Sequence, residues 1–496
     1  MSGPLVVGVD LGSQSTKTAL FELDGACLAE ASAEVPLHRP VPGHVEQEPE
    51  HFYGSATATI ASCISRSGCK PGQVAAIGLA GQMAGILGVD GRGRAATPYD
   101  SWLDSRCSAE VAEIAERLGQ RLVEVTGCPP MVAHAPKMLW WRHRRPEVYA
   151  HVEKFLVPSA FVAGRLCDLP AEESFIDWTH LHFSGSADAA RLSWSPELAA
   201  GTGVDLGRLP RIVAPTERVG ELSAAAARDC GLCPGTPVAA GLGDTAAGAL
   251  GAGVVQPGQL LDTAGTASVL AVSTNRFVPD PSGTLVLMRG AVDGQWLALS
   301  YLAGGDLLNW LPRVLGAPGL GLLIEEAATG RSDGLFFVPH MGGRVLPAAP
   351  GAKGAWVGLE LTQTRGDLTR AVLESVAFEY AGFLEKALEL NPELVPRDVR
   401  VIGGGSDDQL WNQIKASALG LSYVRLRPRS FSCWGAALVA AAAVGMADVG
   451  SASLKADELS EWTGPDPELR LAYSRCRRDY RALVDLIVPR PQEVHV

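Results

Sequence analysis

The chain contains two copies of one layout, in which a strand-like run, a short polar turn and a second strand-like run follow one another. The first copy covers residues 5–23 and the second covers residues 259–273. Aliphatic and β-branched residues dominate these runs, and such residues favour strands. The pair Asp24-Gly25, a strong hairpin signal, follows the first copy and leads into a third strand-like run. The layout predicts a three-stranded meander at the start of the chain and two related lobes, each beginning with a hairpin.

The length of the chain predicts more than one domain. With 496 residues it exceeds what a single hydrophobic core usually supports. Helix-like and strand-like segments alternate between residues 49 and 143, which is typical of an α/β fold. No low-complexity linker separates the two lobes, and we place the boundary near residues 242–256. The predicted domains are residues 1–243 and residues 244–496.

The charge balance argues against some partners. The chain has 42 Lys and Arg residues against 54 Asp and Glu residues, a formal net charge of −12. Binding to nucleic acid or to an anionic membrane requires a basic patch. The longest apolar run of small residues, 434–447, is too short to span a bilayer, and residues 1–4 lack the features of a signal peptide. We therefore expect a soluble, cytoplasmic protein without nucleic-acid or membrane partners.

Asp244 lies where a strand-like run meets a helix-like run. The strand-like run breaks at Gly241 and Gly243, and Ala-rich residues follow Asp244. Glycines let the backbone turn sharply and let a ligand approach closely, and the first turn of a helix favours a carboxylate. This geometry suits a general base that takes a proton from a substrate hydroxyl. A plain helix N-cap, for which Asp is a preferred residue, is the alternative at this point.

Two polar turns are candidate phosphate sites. The first, residues 10–17, combines a freely turning glycine, hydroxyl groups and a cation, namely Gly12, Ser13, Thr16 and Lys17. Backbone amides in such a turn form an anion-binding concavity, and Asp10 at the strand end could hold Mg²⁺ through water. An ordinary polar hairpin turn is the alternative, and the spacing is not that of a Walker P-loop. The second turn, residues 263–268, could hold the transferred phosphate.

A third segment is rich in glycine. A strand-like run at residues 399–402 leads into Gly403-Gly404-Gly405 and then into a helix-like run. Three glycines at a strand-to-helix junction leave space for a flat ring or a sugar to lie on the backbone. The dinucleotide fingerprint Gly-x-Gly-x-x-Gly is absent from this segment, which argues against an oxidoreductase.

Taken in order, five short motifs resemble those of the FGGY carbohydrate kinases, and of xylulokinase-like members in particular. The motifs are Asp10-Leu11-Gly12, Gly81-Gln82-Met83, Gly243-Asp244, Gly265-Thr266 and Gly403-Gly404-Gly405. The likeness also includes residues 42–49 and residues 431–442. It implies two ribonuclease-H-like domains of the actin-like ATPase superfamily, with sugar and ATP meeting in an interdomain catalytic cleft. The N-terminal domain would then bind the sugar and carry the first phosphate loop, and the C-terminal domain would bind the nucleotide.

The resemblance also implies roles for single residues. Asp244 matches the catalytic base, and Asp10 matches the carboxylate near Mg²⁺. The residues that match the ATP contacts are Gly12, Ser13, Thr16, Lys17, Gly265, Thr266, Gly305, Gly404 and Asp408. The candidate contacts to the sugar are Gln82, Met83, Ala84, Asp104, Asp244 and Thr245. The expected partner is a small-molecule sugar, and a homodimer is possible.

The sugar side departs from the family pattern at two positions. Ala84 stands where xylulokinases usually have a His that reaches the sugar, and Thr245 stands where they usually have Asn. Losing both polar contacts leaves substrate hydroxyls unpaired, which is costly enough to change specificity. We expect a ketopentose such as D-xylulose. The alternatives are another ketose or polyol (ribulose, a hexulose, a sugar alcohol), read by Asp104, Arg106 or Thr245, and a catalytically altered sugar-binding regulator.

Two histidines near the middle of the chain, His180 and His182, stay outside these motifs. We interpret them as local packing, because histidines at this spacing without further ligands rarely bind a metal. A place in the lining of the sugar pocket is the alternative.

Overall fold

A computed structural model describes residues 3–264, 268–302, 304–426, 430–453 and 461–488. Two residues with predicted roles, Gly265 and Thr266, lie outside the described residues.

Strands and helices alternate along most of the described chain. The strands, in chain order, are β1 (Leu5–Leu11), β2 (Ser15–Glu22), β3 (Cys27–Glu34), β4 (Glu46–Gln47), β5 (Val74–Gly81), β6 (Leu87–Val89), β7 (Tyr99–Asp100), β8 (Lys154–Leu156), β9 (Phe175–Asp177), β10 (Ala187–Asp188), β11 (Ser193–Trp194), β12 (Arg211–Val213), β13 (Arg218–Glu221), β14 (Pro237–Ala239), β15 (Leu242–Gly243), β16 (Leu260–Ala264), β17 (Ser268–Thr274), β18 (Val286–Arg289), β19 (Trp296–Leu299), β20 (Phe336–Val338), β21 (Ala355–Val357), β22 (Asp398–Ile402), β23 (Ser422–Arg425) and β24 (Glu461–Thr463).

The α-helices, in chain order, are α1 (Pro49–Ser67), α2 (Ser108–Thr126), α3 (His134–Arg144), α4 (Pro146–Tyr149), α5 (Pro158–Cys167), α6 (Pro196–Thr202), α7 (Ala224–Cys230), α8 (Asp244–Gly251), α9 (Gly304–Val314), α10 (Leu320–Thr329), α11 (Arg365–Leu390), α12 (Gln409–Leu419), α13 (Phe431–Ala443), α14 (Val449–Ser453) and α15 (Pro467–Ile487). In the part of the chain that the structure describes, none of these helices combines the length and the apolar character needed to cross a bilayer.

The chain divides into two compact units. The first comprises Met1–Val255, Leu287–Trp296 and Pro428–Asp457, and the second comprises Gln256–Val286, Leu297–Arg427 and Glu458–Val496. The division differs from the predicted split after residue 243, because α8 and the late helix α13 both belong to the first unit.

Glycines explain why α13 belongs to the first unit. A Cβ added at Gly8 on β1 would lie 1.8 Å from the backbone oxygen of Cys433, and one added at Gly78 on β5 would lie 2.0 Å from that of Ala436. Only residues without a side chain allow the helix backbone to approach the strands this closely. Gly435 gives α8 the same close approach on the other side, since its added Cβ would lie 2.1 Å from the oxygen of Ala247.

The sheet of the first unit has the order β13-β14-β5-β1-β2-β3, with β15 also paired to β5. Strand β2 runs antiparallel to both β1 and β3, so the predicted meander is confirmed. Strand β5 runs parallel to β1, and both β14 and β15 run parallel to β5. The carboxyl ends of β1, β5 and β15 therefore lie at one edge of the sheet, where ligands of α/β proteins commonly bind.

The core of this unit covers both faces of the sheet. The apolar residues of β1, from Leu5 to Leu11, are completely buried, as expected for a central strand between two helical layers. Helix α1 contributes Phe52, Ala56 and Ile60 to the same core.

The second unit repeats the same strand pattern. Its strands have the order β19-β17-β16-β22-β23-β24. Strands β16 and β17 form an antiparallel hairpin, and β22 runs parallel to β16 as β5 runs parallel to β1. The predicted second copy of the hairpin is thus confirmed, and both units have the mixed α/β architecture that the sequence predicts.

Candidate active site

Asp244 begins helix α8 directly after the short strand β15. The N-cap of this helix is Gly243, and the Asp244 carboxylate does not cap the helix. Its Oδ1 instead accepts hydrogen bonds from the backbone N–H of Thr245 at 2.6 Å and from the Thr245 hydroxyl at 3.2 Å. The plain N-cap interpretation is therefore wrong.

The environment of Asp244 favours proton uptake. The side chain is surrounded by protein but keeps some contact with solvent. Burial raises its pKa from 3.8 to about 6, and the two hydrogen bonds from Thr245 oppose this rise. A general base works best when its pKa lies near the operating pH. Asp244 has this property because of burial, and no cation of the described residues contributes to the shift.

Asp10 is the second carboxylate of the site. It lies near the end of β1, opposite Lys17 on β2. Its Oδ1 is buried and has no hydrogen-bond partner among the described residues. Burial, followed by the negative charge of Asp244, raises the pKa of Asp10 to about 7, while Lys17 lowers it.

These two carboxylates fit a magnesium ion. A buried carboxylate oxygen without a partner, beside a second carboxylate, is a donor set that a hard divalent cation would complete. Magnesium prefers few carboxylates and several waters. In the described chain no group of three or more His, Cys, Asp or Glu side chains could hold a metal ion. Asp10 would therefore hold Mg²⁺ with water and phosphate oxygens as the remaining ligands.

The first polar turn is shorter than the sequence suggests. Strand β2 already begins at Ser15, so the turn contains only residues 12–14. Alternation along β2 directs Thr16 into the protein, where its hydroxyl shares a 2.7 Å hydrogen bond with Ser55 on α1, and leaves Lys17 exposed. The predicted phosphate contact by Thr16 is not supported, because its hydroxyl is buried and already bonded. Gly12, Ser13 and Lys17 remain candidates.

Gln82 connects the turn after β5 with the first hairpin. Its side chain is buried; Nε2 donates to Gln47 at 2.9 Å and Oε1 accepts from the Ser13 hydroxyl at 3.3 Å. Ser13 in turn accepts a 2.8 Å hydrogen bond from the indole of Trp102. These contacts hold the turn after β5 beside the hairpin turn, so two of the predicted site segments do meet.

Met83 lies beside the strand that leads to Asp244, and Ala84 follows Met83 in the chain. A Cβ added at Gly243 would lie 2.5 Å from the sulfur of Met83. Ala84 has a φ of 62°, a conformation that is uncommon for residues other than glycine. The methyl group of Ala84 offers no hydrogen bond, so this position does not replace the histidine of the family pattern.

Asp104 and Arg106 form a buried ion pair and not a surface pair. Nε of Arg106 donates to both oxygens of Asp104 at 2.9 Å, and its Nη2 also reaches Glu46 at 2.6 Å. Oδ2 of Asp104 further accepts from the backbone N–H of Val45 at 2.6 Å. Because both carboxylate oxygens are engaged inside the protein, the structure does not support Asp104 or Arg106 as a contact to sugar. The pair instead fixes the loop after β7.

The predicted nucleotide residues of the second unit have mixed outcomes. Gly404 begins a short 3₁₀ helix and follows Gly403, whose φ is 94°. A Cβ added at Gly404 would have no atom within 4 Å. Asp408 is the N-cap of α12 and accepts from the backbone N–H of Trp411 at 2.8 Å. Gly305 lies in the first turn of α9. Gly404 therefore has the accessible backbone expected of a nucleotide contact, whereas the carboxylate of Asp408 has a structural role.

The sequence did not predict a chain of hydrogen bonds that joins Gly243, the residue before Asp244, to Thr179 and Asp177. The backbone N–H of Gly243 donates to the hydroxyl of Thr179 at 2.8 Å, and this hydroxyl donates to Oδ1 of Asp177 at 2.5 Å. Asp177 is buried, which raises its pKa to about 7. The signal was the Asp-x-Thr spacing, which is typical of a side chain that bonds the backbone two residues later. The hydrogen bond between Gly243 and Thr179 joins residues 64 positions apart, so no pattern of neighbouring residues predicts it.

Comparison with known proteins agrees with this architecture. The model for the N-terminal domain of the FGGY family of carbohydrate kinases matches residues 5–251, and the model for the C-terminal domain matches residues 261–444. The xylulose kinase of Escherichia coli K12 is 28% identical over 421 residues, which are 84% of this chain and 85% of that protein. The gluconokinase of Bacillus subtilis is 25% identical over 461 residues, which are 89% of this chain and 88% of that protein.

A solved structure extends the likeness to the fold. The xylulose kinase of Rhodospirillum rubrum superposes with a TM-score of 0.89 at 28% identity, covering 97% of this chain and 98% of that one. Together with the two family models, which cover more than half of the chain, this identifies the protein. The chain belongs to the FGGY family of carbohydrate kinases, is xylulokinase-like in sequence and is a sugar kinase.

Proposed function

We propose that the protein transfers the terminal phosphoryl group of ATP to a hydroxyl of a ketopentose such as D-xylulose, with Asp244 as the general base. The observation that carries this proposal is the pair of neighbouring carboxylates, Asp244 and Asp10, whose pKa values burial raises to about 6 and about 7. Such perturbed groups at the carboxyl ends of strands are typical of catalytic sites. Several relatives carry the name xylulose kinase, which supports this acceptor.

The proposed reaction needs one proton acceptor. Asp244 takes the proton of the acceptor hydroxyl, and the hydroxyl oxygen forms a bond to the terminal phosphorus of ATP. The bond between that phosphorus and its bridging oxygen breaks, and ADP leaves. Phosphoryl transfer depends mainly on positioning and charge stabilisation. The hydrogen bonds from Thr245 hold Oδ1 of Asp244 in place, so its other oxygen can face the substrate.

Asp10 would hold the magnesium ion. When bound, Mg²⁺ neutralises charge that develops on the phosphate oxygens. The hairpin turn at Gly12 and Ser13 would offer backbone N–H donors to the phosphates. In the second unit, the open backbone at Gly404 would contact the adenosine.

A coupled assay of ADP release tests the proposal. The purified chain is supplied with Mg-ATP and with D-xylulose, D-ribulose, hexuloses or sugar alcohols, one at a time. We expect the highest kcat/KM with D-xylulose. A different preferred ketose or polyol would support the second candidate, which Ala84 and Thr245 favour because they lack the family's contacts. A uniform background with every acceptor would favour a sugar-binding regulator and contradict the proposed kinase reaction.

A further inference from the structure

Two buried glutamines hold the hairpin turn between β1 and β2. Gln47 on β4 has no exposed surface, and Gln82, which follows β5, is 1% exposed. Nε2 of Gln47 donates to the carbonyl oxygen of Ser13 at 3.0 Å. Nε2 of Gln82 donates to the carbonyl oxygen of Gly12 over a long 3.5 Å, and its backbone N–H donates to that of Leu11 at 3.1 Å. Donors from distant segments therefore engage three consecutive carbonyl groups of the turn.

The two side-chain amides also fix the orientation of each other. A carbonyl oxygen only accepts hydrogen bonds, so the nitrogen of Gln47 must face Ser13 and its oxygen must face the other way. This oxygen accepts from Nε2 of Gln82 at 2.9 Å, and Oε1 of Gln82 accepts from the Ser13 hydroxyl at 3.3 Å. The same hydroxyl accepts from the indole of Trp102 at 2.8 Å. Both amides are thus fully used in holding the turn.

A carbonyl that is held in place also directs the next backbone N–H. In a trans peptide unit, the C=O of one residue and the N–H of the next point in opposite directions, and the peptide bonds of this turn are trans. The bond from Gln82 to Gly12 therefore turns the N–H of Ser13 away from Gln82. In the same way, the bond from Gln47 to Ser13 turns the N–H of Gln14 away from Gln47.

The two backbone N–H groups are free to meet a ligand. Neither the N–H of Ser13 nor that of Gln14 has a hydrogen-bond partner among the described residues. Ser13 is partly exposed and Gln14 is exposed, as is Lys17 on the following strand. Successive backbone N–H groups form a binding site for an anion, and an exposed lysine nearby adds positive charge.

We propose that Gln47 and Gln82 are positioning residues that orient the backbone N–H groups of Ser13 and Gln14 toward the phosphate groups of ATP. This inference rests on the proposed kinase function, in which the hairpin turn contacts the phosphates. It gives Gln82 a role other than the sugar contact expected from the sequence, because both ends of its amide already have partners in the turn.

A neutral side chain suits this role. Glutamine donates and accepts hydrogen bonds without carrying a charge, whereas an ionised glutamate of the same shape only accepts. At position 47 a glutamate would face the carbonyl oxygen of Ser13 without a donor. It would also add a negative charge close to Asp10 and the phosphates.

Nucleotide titration of variants tests the proposal. Gln47→Met and Gln82→Met keep the approximate length of the side chain and remove the amide, and Gln47→Glu keeps its shape. Gln120→Met, at an exposed glutamine of α2, is the control. Kd is measured for Mg-ATP and for adenosine, which has no phosphate group. KM for D-xylulose is measured in the ADP-release assay, and thermal melting verifies that each variant is folded.

The effect is expected on phosphate binding alone. Gln47→Met should weaken the binding of Mg-ATP about tenfold, the loss of one hydrogen bond to a charged group, and leave Kd for adenosine and KM for D-xylulose unchanged. Gln82→Met should behave similarly. Because the two amides hold each other, the double variant should lose less than the product of the two single effects.

Two further variants sharpen the expectation. Gln47→Glu should weaken the binding of Mg-ATP more than Gln47→Met does, because it adds a repulsive charge. Gln120→Met should change none of the three constants. A merely structural role for the glutamines would lower the melting temperature without separating Mg-ATP from adenosine.

Several results would overturn the inference. Folded Gln47→Met and Gln82→Met with an unchanged Kd for Mg-ATP would do so, as would equal losses for Mg-ATP and adenosine. A raised KM for D-xylulose in Gln82→Met, with ATP binding intact, would return Gln82 to the sugar contact. If no acceptor stimulates ADP release by the wild type but the variants separate Mg-ATP from adenosine, the kinase proposal is wrong and the positioning role stands.

The wild type provides a test that needs no variant. In isotope-labelled protein, the amide proton signals of Ser13 and Gln14 should shift on adding a non-hydrolysable analogue of Mg-ATP, and should stay in place on adding adenosine. If neither glutamine variant folds, this measurement decides. Signals that do not respond to the analogue, or that respond equally to adenosine, would overturn the proposed contact.

Discussion

The two units place a buried or partly buried aspartate in corresponding strands and treat it in opposite ways. Asp262 on β16 is completely buried and accepts hydrogen bonds from Lys415 at 2.5 Å and from Tyr380 at 2.9 Å. Asp10 on β1 has a buried oxygen without any partner in the described chain, and its pKa is raised to about 7. The ammonium of Lys415 also lies 4.2 Å from the ring centre of Trp411.

The difference separates a structural carboxylate from one that is available for chemistry. Asp262, Lys415 and Tyr380 satisfy one another, which joins β16 to α11 and α12 inside the second unit. Asp10 and Asp244 are not neutralised in this way, so they keep the capacity to bind a cation or a proton. The buried carboxylate of Asp10 lowers the stability of the first unit because it is not paired. A carboxylate paired as Asp262 is would be unreactive.

The largest effect is expected at Asp244. Asp244→Asn removes the proposed base and is expected to lower kcat by a factor of about 10² to 10⁴, while nucleotide binding persists. The measurement is acceptor-dependent ADP release together with nucleotide titration. Asp333→Asn, a change at an exposed aspartate of the second unit, is the control and should leave kcat unchanged. Wild-type turnover in Asp244→Asn would exclude this residue as the base.

The structural role of Asp262 is tested by replacing its partner, Lys415. Lys415→Met leaves Asp262 buried without a cation, and we expect a loss of about 3–5 kcal/mol in the free energy of unfolding. Lys415→Met combined with Asp262→Leu should recover most of this loss, because no charge then remains buried. Denaturant unfolding measures both, with Lys353→Met, at an exposed lysine, as the control. A single variant as stable as the wild type would contradict the pairing.

Asp10, unlike Asp262, is expected to make the folded protein less stable when it is ionised, and a pH titration of stability tests this. Its pKa is about 7 in the folded protein and 3.8 as the ordinary value. The folded state therefore holds this proton more tightly, and the stability that the proton contributes is present below pH 4 and is lost as the pH rises to about 7. Asp10→Asn should lack this loss, so its stability relative to wild type should increase between pH 4 and pH 7. The free energy of unfolding is measured without Mg²⁺. If the difference between Asp10→Asn and the wild type stays constant from pH 4 to pH 7, the raised pKa is contradicted.

The smallest effect is expected at Thr245. The pKa of Asp244 is about 6 and is held down by hydrogen bonds from Thr245, so kcat/KM should rise as the pH increases through about 6. Thr245→Val removes the hydroxyl bond but keeps the shape, which raises this pKa and moves the rise in activity to higher pH. Thr329→Val, at an exposed threonine, should leave the profile in place. A profile that does not move would show that the hydroxyl has no influence on the base.

Local patterns carried most of the fold prediction. The hairpins at β1–β2 and β16–β17 follow from strand-forming runs on either side of a polar turn. The junction at Asp244 follows from glycines that end a strand before Ala-rich residues. Both are properties of consecutive residues, so the sequence alone identified them.

Contacts between distant residues decided the rest. Gly8 and Gly78 allow α13 to pack in the first unit, although residues 252–430, which belong mostly to the second unit, separate it from α8. The alternation of β2 buries Thr16, and the ion pair of Asp104 is completed by Arg106 and the backbone of Val45. These partners are selected by packing and by the need to satisfy buried polar groups, and neither requirement leaves a pattern in neighbouring residues.

The sequence by itself determined the two hairpins, the α/β fold class, the family motifs and the place of Asp244. Only the tertiary structure decided which polar side chains are free to meet a substrate and which are used inside the protein. Asp104 has the residue type expected of a sugar ligand, yet Arg106 donates hydrogen bonds to its carboxylate oxygens. The sequence predicted only local packing for His180, yet its ring nitrogens have no hydrogen-bond partner among the described residues. The physical reason is that the availability of a hydrogen-bonding group depends on its partners in space.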